Sequence, residues 1–463
     1  MERRMERVPT VNFPFRLTPR RFDDELAGMI RARWMGLMLF FAALFLRAAN
    51  WPQWRGDGGG VSSEAHFPTV WSATNHLRWK TPIPGRGLSS PIVWDGRIFL
   101  TSDLEGDVVP GAQSIRHKAD GEDFKHPESM GADRRHDLRL ICLEADRGKI
   151  LWNKSAYLGT VFDNRHRKGS YAAPTVATDG KFVFAFFGGE GLFCFDFNGN
   201  LVWEKTFGGL ATMGMGPGTS PILFGESVIV QCDEDNGEKS FITALDKKSG
   251  RELWRAARKV SVTWATPIIA RSGGRAELIT SGSESIIAYD PDNGRELWRM
   301  KGLEDNAIPS PVAGNGLAFV SAGYPAKKTL AIRLGGADAL SEGAVAWHYE
   351  KGSAYVPSPI LHGEFFYLMT DSGQLTCLEA VSGRVRYEAE RLPVPGKFTA
   401  SPVAWDGKLL LASEAGDCFL IRAGERYEVL QKNSLGEPIL ASPALARGRI
   451  YLRGENNLFC VGE

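Results

Sequence analysis

Residues 219–255 read TSPILFGESVIVQCDEDNGEKSFITALDKKSGRELWR and contain one complete unit of a repeating pattern. The unit opens with the pair Ser220-Pro221 and ends at Trp254, and turns at Gly225 and Gly250 divide its interior. Between these points the pattern predicts four short strands: Ile222–Phe224, 228–232, 241–245 and a last strand that ends at Trp254. Four short strands per unit, repeated at a fixed period, are typical of a β-propeller blade.

The opening pair, a small residue followed by proline, recurs along the chain. The eight pairs are Ser90-Pro91, Ala173-Pro174, Ser220-Pro221, Thr266-Pro267, Ser310-Pro311, Ser358-Pro359, Ser401-Pro402 and Ser442-Pro443. Successive prolines lie 41–48 residues apart, except for a first gap of 83 that leaves room for an insertion at about residues 103–137. The repeats therefore predict an all-β, eight-bladed propeller of four-stranded antiparallel blades over residues 51–463.

A glycine four residues before an aromatic residue leads into the last strand of most units. These pairs are Gly148/Trp152, Gly199/Trp203, Gly250/Trp254, Gly294/Trp298, Gly343/Trp347 and Gly383/Tyr387. The eighth unit has no such strand before the chain stops at Glu463, but Asn75 stands four residues before Trp79. Because Asn also tolerates the left-handed conformation, we expect the N-terminal strand near Trp79 to complete the last blade. The aromatic residues are expected to pack between blades and not to form a cofactor site.

The six cysteines predict neither disulfides nor a metal site. Four of them occupy one slot of the third strand, which alanine fills in other units: Cys142, Cys194, Cys377 and Cys460, with Ala244 and Ala288 as the replacements. Cys418 lies near that slot, and Cys232 ends a second strand. A small buried apolar side chain explains this pattern, because equal slots in successive blades are too far apart to bond.

Composition and the first fifty residues bear on location. The net charge is +1 and the charged fraction is 24%, so nothing indicates a nucleic-acid partner. Residues 1–50 are predicted to be an N-terminal extension and export signal, with a 13-residue apolar run at 34–46. A membrane span needs about 20 residues, so we expect an exported, periplasmic or extracellular protein without a span in the mature chain. Met29 is an alternative start.

Loops that enter the innermost strands should surround the central channel on one face of the ring. The candidate binding residues on these loops are Arg86, Arg165, His166, Tyr171, Met215, Trp264, Asn306, Tyr355 and Phe398. Aromatic side chains in a funnel are typical of a docking surface for peptide or sugar, and Arg165 with His166 could hold an anionic group. The alternative is that these side chains plug the channel and pack against one another.

The insertion carries His117, His126 and His136 on a polar loop. Metal binding would require these imidazoles to converge with carboxylates, and the alternative is a solvated flap. The sequence contains no complete acid–base pair, nucleophile triad or metal motif. We therefore assign no catalytic, cofactor-binding or metal-binding residues.

Several motifs resemble a known repeat family. The small-Pro step, the third strand with its Ala/Cys slot and the G-x-x-x-W ending resemble pyrroloquinoline quinone (PQQ)-like β-propeller repeats over residues 51–463. The segment WPQWRGDGGGVS at 51–62 is similar to the WPxWRG opening of exported bacterial members, and residues 166–203 are similar to members related to the outer-membrane assembly factor BamB.

The resemblance implies two possible roles. The assembly-factor relatives imply a lipid-anchored scaffold, although no cysteine directly follows the apolar run here. The quinoprotein alcohol dehydrogenases of the superfamily use an adjacent Cys-Cys pair that this chain lacks. We therefore expect a monomeric, non-catalytic scaffold without a cofactor that binds protein or glycan partners in the cell envelope. The alternative is a divergent dehydrogenase that uses PQQ with calcium to oxidise alcohols or sugars.

Overall fold

The computed structural model describes residues 49–119, 121–304, 306–325, 327–339 and 342–463. The predicted export signal and its apolar run therefore lie outside the described residues. The strands of the described part form eight antiparallel sheets of four strands, and one of these sheets gains a fifth strand. The first strands of neighbouring sheets contact one another, so they are the innermost strands of a ring. The predicted eight-bladed propeller is confirmed.

We number the blades in chain order and give their strands from the innermost to the outermost. Blade 1 comprises Ile92–Trp94, Arg97–Val108, Arg134–Glu144 and Ile150–Thr160. Blade 2 comprises Ala177–Thr178, Phe182–Phe186, Leu192–Asp196 and Leu201–Lys205. Blade 3 comprises Ile222–Phe224, Ser227–Cys232, Phe241–Asp246 and Glu252–Ala257. Blade 4 comprises Ile268–Ser272, Arg275–Thr280, Ser285–Tyr289 and Glu296–Lys301, with Asp338–Ala339 as a parallel fifth strand.

The second half of the ring follows the same plan. Blade 5 comprises Val312–Gly314, Leu317–Ala322, Lys328–Arg333 and Val345–Tyr349. Blade 6 comprises Ile360–His362, Phe365–Met369, Gln374–Glu379 and Val385–Arg391. Blade 7 comprises Val403–Trp405, Lys408–Ala412, Asp417–Arg422 and Val429–Ser434. Blade 8 comprises Ala444–Ala446, Arg449–Arg453, Asn457–Val461 and Leu77–Pro82.

Short elements complete the described structure. Two 3₁₀ helices lie at Gly188–Glu190 and Glu342–Ala344. Within the insertion, His117–Ala119 pairs with Glu122–Phe124, and Ser129–Met130 pairs with Arg165–His166. The insertion also lengthens blade 1, because its second and third strands stay paired as far as Val108 and Arg134. Only residues 109–133 leave the sheet, a shorter stretch than the expected 103–137.

The N-terminal strand closes the ring. Leu77–Pro82 pairs antiparallel with Asn457–Val461 and places Trp79 opposite Cys460. The indole Nε1 of Trp79 then donates to the carbonyl oxygen of Ala145 in blade 1, at 3.0 Å. The predicted closure is confirmed, although the left-handed residue before this strand is His76, with φ 53°, and not Asn75.

Five outer tryptophans each cover the glycine turn of the next blade. The Nε1 of Trp203 donates to the Lys247 carbonyl oxygen at 3.0 Å, and a Cβ atom at Gly250 would lie 2.7 Å from the Trp203 ring. The same contact recurs for four other pairs: Trp79 over Gly148, Trp152 over Gly199, Trp254 over Gly294 and Trp347 over Gly383. The aromatic residues therefore join neighbouring blades, as predicted.

Gly343 departs from this pattern. It lies in the 3₁₀ helix Glu342–Ala344, and the left-handed turn of blade 5 is at Gly335, with φ 87°. The buried carboxylate of Glu277 joins the two blades here, because it accepts hydrogen bonds from the Trp298 indole and the Gly335 backbone N–H. The extra residues before the last strand of blade 5 moved the turn away from the position that the spacing indicated.

Strand register explains the cysteine slot. Cys142 lies opposite Trp152, Cys194 opposite Trp203 and Cys377 opposite Tyr387. A small side chain at this position leaves room for the large ring beside it. All six cysteines are buried and free, which agrees with the prediction of small apolar side chains.

The small residues of the repeat form a chain of hydrogen bonds around the channel. At each step the backbone N–H donates to the hydroxyl oxygen of the corresponding residue in the next blade, at 2.8–3.0 Å. The residues linked in order are Ser90, Thr175, Ser220, Thr266, Ser310, Ser358, Ser401 and Ser442. In blade 2 the linked residue is Thr175, two positions after Ala173, because alanine has no hydroxyl group to accept the bond.

The glycine turns under the tryptophans should be intolerant of any side chain. Gly250→Ala should destabilise the protein by more than Gly316→Ala, because both glycines have positive φ, 68° and 76°, but only Gly250 faces a ring. The backbone cost should be about 1–2 kcal/mol at each site, and displacement of Trp203 should add about 1–3 kcal/mol at Gly250. Urea unfolding of the two variants would measure this difference, and equal losses of stability would contradict the interlock.

Candidate functional site

The segment WPQWRGDGGGVS lies across the central channel. Its hydrogen bonds reach the innermost strands of several blades: Trp51 with Val93 in blade 1, Pro52 with Thr178 in blade 2, Gln53 with Leu223 in blade 3, Trp54 with Ser310 in blade 5, and Gly60 with Ala404 in blade 7. We call this segment, residues 51–62, the plug. It gives a physical role to a motif that sequence reasoning recognised only by resemblance.

A cavity of about 660 Å³ lies in the channel above the plug, and we call it the cup. Trp54 of the plug and hydroxyl groups of the small residues line its floor. Its walls are mainly apolar and aromatic, with Met213, Met215, Trp264, Tyr324 and Tyr355. Phe124 and His126 of the insertion, together with His166, complete the lining on the side of blades 1 and 2.

Five of the nine predicted binding residues line the cup: His166, Met215, Trp264, Asn306 and Tyr355. The structure places the other four elsewhere. Arg86 is exposed and pairs through its backbone with Asp103, and Phe398 is buried in the core between blades 6 and 7. The Tyr171 hydroxyl is buried and donates to the Asp163 carbonyl oxygen at 2.8 Å.

Arg165 is the fourth residue outside the cup. It is buried, and its guanidinium Nη2 lies 2.6 Å from Glu105 Oε2. His166 is also engaged, because its Nε2 lies 2.6 Å from Glu128 Oε2. Both side chains thus have a carboxylate partner within the protein, and the anion site stays a prediction.

Sequence reasoning missed Trp54, Phe124, Met213 and Tyr324, and it considered His126 only as a metal ligand. Trp54 enters through the plug, and Phe124 with His126 enter through a hairpin of the insertion. The only available signal was that the plug motif and the insertion interrupt the repeat. Nothing in the repeat period shows which way such segments fold.

The side chains that line the cup carry no carboxylate, ammonium or guanidinium group within the described residues. The titratable side chains there are two tyrosines and two imidazoles. His126 Nδ1 accepts a hydrogen bond from the Glu128 backbone N–H at 3.2 Å, and burial raises the pKa of Tyr355. The cup is therefore a partly aromatic site whose described lining has no carboxylate, ammonium or guanidinium group.

The three histidines of the insertion do not converge. His126 lines the cup, whereas His136 is fully buried between Asp103, at 2.9 Å, and the Gly131 carbonyl oxygen, at 2.8 Å. His117 binds two other carboxylates, those of Asp163 and Asp235. Over the described residues, no cluster of three or more His, Cys, Asp or Glu side chains could hold a metal ion.

His117 fastens the insertion to blades 2 and 3. Its Nε2 lies 2.9 Å from Asp163 Oδ1, and its Nδ1 lies 2.6 Å from Asp235 Oδ2. Burial alone would lower the pKa of His117, but the two carboxylates outweigh burial and raise the pKa to about 9. Both ring nitrogens therefore carry protons at neutral pH, and we call this arrangement the His117 clamp.

Asp163 serves as the main acceptor of the clamp. Besides His117, it accepts hydrogen bonds from Ser114, from the backbone and hydroxyl of Thr212, and from Gly214. Burial raises its pKa, but these donors lower it more, so the pKa is below its usual value. The clamp thereby supports the Thr212–Gly214 loop, whose Met213 lines the cup.

Comparison with known proteins identifies the family. The family described as "Outer membrane protein assembly factor BamB" matches residues 132–256 and 238–432. The chain belongs to this family. No curated protein matches its sequence.

Solved structures share the fold of this BamB-family chain at low identity. BamB from Moraxella catarrhalis is 14% identical, with a TM-score of 0.52 over 71% of this chain and 91% of its own. The quinohemoprotein alcohol dehydrogenase from Comamonas testosteroni is 14% identical, with a TM-score of 0.57 over 90% and 81%. A europium-containing methanol dehydrogenase is 12% identical, with a TM-score of 0.58 over 87% and 89%. These similarities establish the fold alone.

The cup does not fit PQQ, although quinohemoproteins share the fold. PQQ carries three carboxylic acid groups, and a bound Ca²⁺ would need several oxygen ligands that include carboxylates. The described residues that line the cup include no basic side chain other than imidazole and no carboxylate. An anion of this size would therefore lose its hydration without gaining compensating charge.

Among the residues that the structure describes, no helix has the length and apolar character needed to cross a bilayer.

The His117 clamp predicts pH-dependent protection of the insertion. Because the folded state raises the pKa of His117, its stabilisation should be full below the usual value of about 6.5 and lost as the pH rises through about 9. Amide exchange over residues 112–126, corrected for intrinsic rates, should accelerate over this range. His117→Gln should accelerate it already at pH 7, whereas His126→Gln, outside the clamp, should not. Equal exchange in both variants would contradict the clamp.

Proposed function

We propose that this chain is a non-catalytic, exported binding or assembly propeller of the cell envelope. Its cup receives a group of a protein or glycan partner. The observation that carries this proposal is the cup itself, a cavity crossed at its floor by the plug and walled by Trp264, Tyr324 and Tyr355. Partly exposed aromatic side chains around a cavity are typical of binding hot spots.

The aromatic wall is preformed. The Trp264 indole is held by a hydrogen bond from its Nε1 to the Gly216 carbonyl oxygen, at 3.0 Å. The rings of Tyr324 and Tyr355 lie 5.4 Å apart at an angle of 52°, and Tyr324 is 57% exposed. Rings that are already oriented lose little conformational freedom when a partner binds, which favours affinity.

The charged groups near the cup support binding without catalysis. The imidazole of His166 is engaged by Glu128, the guanidinium of Arg165 by Glu105, and the His117 ring by two aspartates. General acid–base catalysis needs a group that can exchange its proton with a substrate at hydrogen-bonding distance. Among the described residues of the cup, only His126 retains a ring nitrogen without a protein partner.

Membership of the BamB family supports an assembly role in particular. Members of this family are described as outer membrane protein assembly factors, and an assembly factor acts by binding other proteins. The exported location remains part of the proposal and depends on residues 34–46.

Recovery of partners from envelope extracts would test the proposal. The double variant Trp264→Ala, Tyr355→Ala should fail to recover at least one partner that the unchanged protein recovers, because it removes two aromatic side chains from the wall of the cup. Leu253→Ala is the matched control, since Leu253 is 41% exposed on the outer strand of blade 3, away from the cup. Equal recovery by all three proteins would contradict a role for the cup.

The dehydrogenase alternative can be tested directly. It is motivated by the fold shared with quinohemoproteins, and the purified protein would be incubated with PQQ and Ca²⁺. The proposal predicts no bound-quinone absorbance after gel filtration and no dye reduction with alcohols or aldoses. Either signal would overturn the non-catalytic function.

A further inference from the structure

We propose that the cup selects neutral ligands that combine an apolar body with a carbonyl or ether oxygen. This inference deepens the proposed function, since it rests on the cup being the binding site and specifies the chemistry of the group that enters. Three features carry it: the absence of charge in the described lining, the donors on the floor, and the volume.

The first feature is charge. The described lining has no carboxylate, ammonium or guanidinium group, and Glu128 engages His166. A buried ion without a partner of opposite charge is costly, so charged ligands should be rejected. The walls instead offer aromatic faces and thioethers, which pack well against apolar and aromatic groups.

The second feature is the set of hydroxyl groups on the floor. Six residues of the hydrogen-bonded chain line the cup: Ser220, Thr266, Ser310, Ser358, Ser401 and Ser442. Each hydroxyl oxygen accepts a backbone N–H from the preceding blade, and Ser310 also accepts the Trp54 indole N–H. A hydroxyl group that accepts in this way still has its own proton to donate.

These hydroxyl protons have no acceptor within the described part of the protein, because every hydrogen bond formed by the six groups has the hydroxyl oxygen as acceptor. Each of the six hydroxyl groups therefore keeps a proton that it can donate to a ligand in the cup. A carbonyl or ether oxygen accepts hydrogen bonds and needs none in return. Such an oxygen would satisfy the floor while the rest of the ligand contacts the apolar walls.

Sugars fit this arrangement less well. Every buried sugar hydroxyl group also needs an acceptor for its proton, and carboxylates and carboxamides are side chains that supply one. Asn306 is the one side-chain carboxamide in the described lining, which has no carboxylate. The volume of about 660 Å³ is that of a pocket for a single small ligand or a comparable group of a larger partner.

Matched fluorescent probes would test the requirement for neutrality. N-phenyl-1-naphthylamine is neutral, and 8-anilinonaphthalene-1-sulfonate has a similar aromatic body with a sulfonate group. We expect the neutral probe to bind at least about tenfold more tightly, because the cup cannot compensate the sulfonate. Trp264→Ala should weaken its binding, and Leu253→Ala should not. Equal affinity for the two probes, or binding unaffected by Trp264→Ala, would overturn the proposal.

Prodan, a neutral naphthyl ketone, would test the donors on the floor. Thr266→Val removes one hydroxyl group at nearly constant shape, whereas Thr266→Ser retains it. We expect the valine variant alone to shift prodan emission to the blue and to bind prodan less tightly, because the ketone loses a hydrogen-bond donor. Retained binding of N-phenyl-1-naphthylamine, which has no carbonyl, would show that the valine variant keeps an intact cup. Unchanged prodan binding and emission in a variant with an intact cup would overturn the role of the floor.

Competition would identify the source of the natural ligand. If prodan displaces a partner recovered from envelope extracts, the partner carries the group that enters the cup. If prodan binds without displacing the partner, the natural ligand is a free small molecule. Both results support the chemistry of the cup. If the neutral probe binds selectively but no partner is recovered, only the proposed function is rejected. If a partner is recovered but the two probes bind equally, only this inference is rejected.

Discussion

The hydrogen bond between successive blades at the innermost strand is the constraint on which the structure depends. A backbone N–H buried beside the channel needs an acceptor, and the hydroxyl group of the next blade supplies one. This requirement explains why serine or threonine recurs at a nearly fixed period. It also explains why Thr175 replaces Ala173 in the series, since alanine cannot accept the bond.

The chain of bonds runs from Ser90 to Ser442 and is interrupted where the chain ends meet. Among the described residues the Ser90 hydroxyl has no hydrogen-bond partner, and other contacts hold the junction of blades 8 and 1. Arg453 donates to the carbonyl and hydroxyl oxygens of Ser89, and Trp79 covers the turn at Gly148. The plug adds bonds across the channel. The N-terminal part of the chain therefore supplies the contacts that close the ring between blades 8 and 1.

The same architecture determines the chemistry of the cup. Because the repeat places small hydroxyl residues at the channel, the floor is polar but uncharged. The nearby charged side chains are used in structure: Arg165 with Glu105, and the His117 clamp beneath the insertion. The cup therefore retains aromatic and apolar walls, and it differs from a site built to hold an anionic cofactor although quinohemoproteins share the fold.

The sequence by itself determined the number of blades, the strand order within each blade, the closure by the segment at Trp79 and the burial of the cysteines. Each depends on local patterns that repeat, so one unit could be checked against seven others. Only the tertiary structure decided the composition of the cup. Trp54 and Phe124 come from segments outside the period, and Tyr324 lies in a loop between two strands of blade 5. Tyr171 and Phe398 turn into the core, although they precede the innermost strands of their blades as Trp264 and Tyr355 do. The direction of such side chains depends on contacts between distant segments, and no local pattern records those contacts.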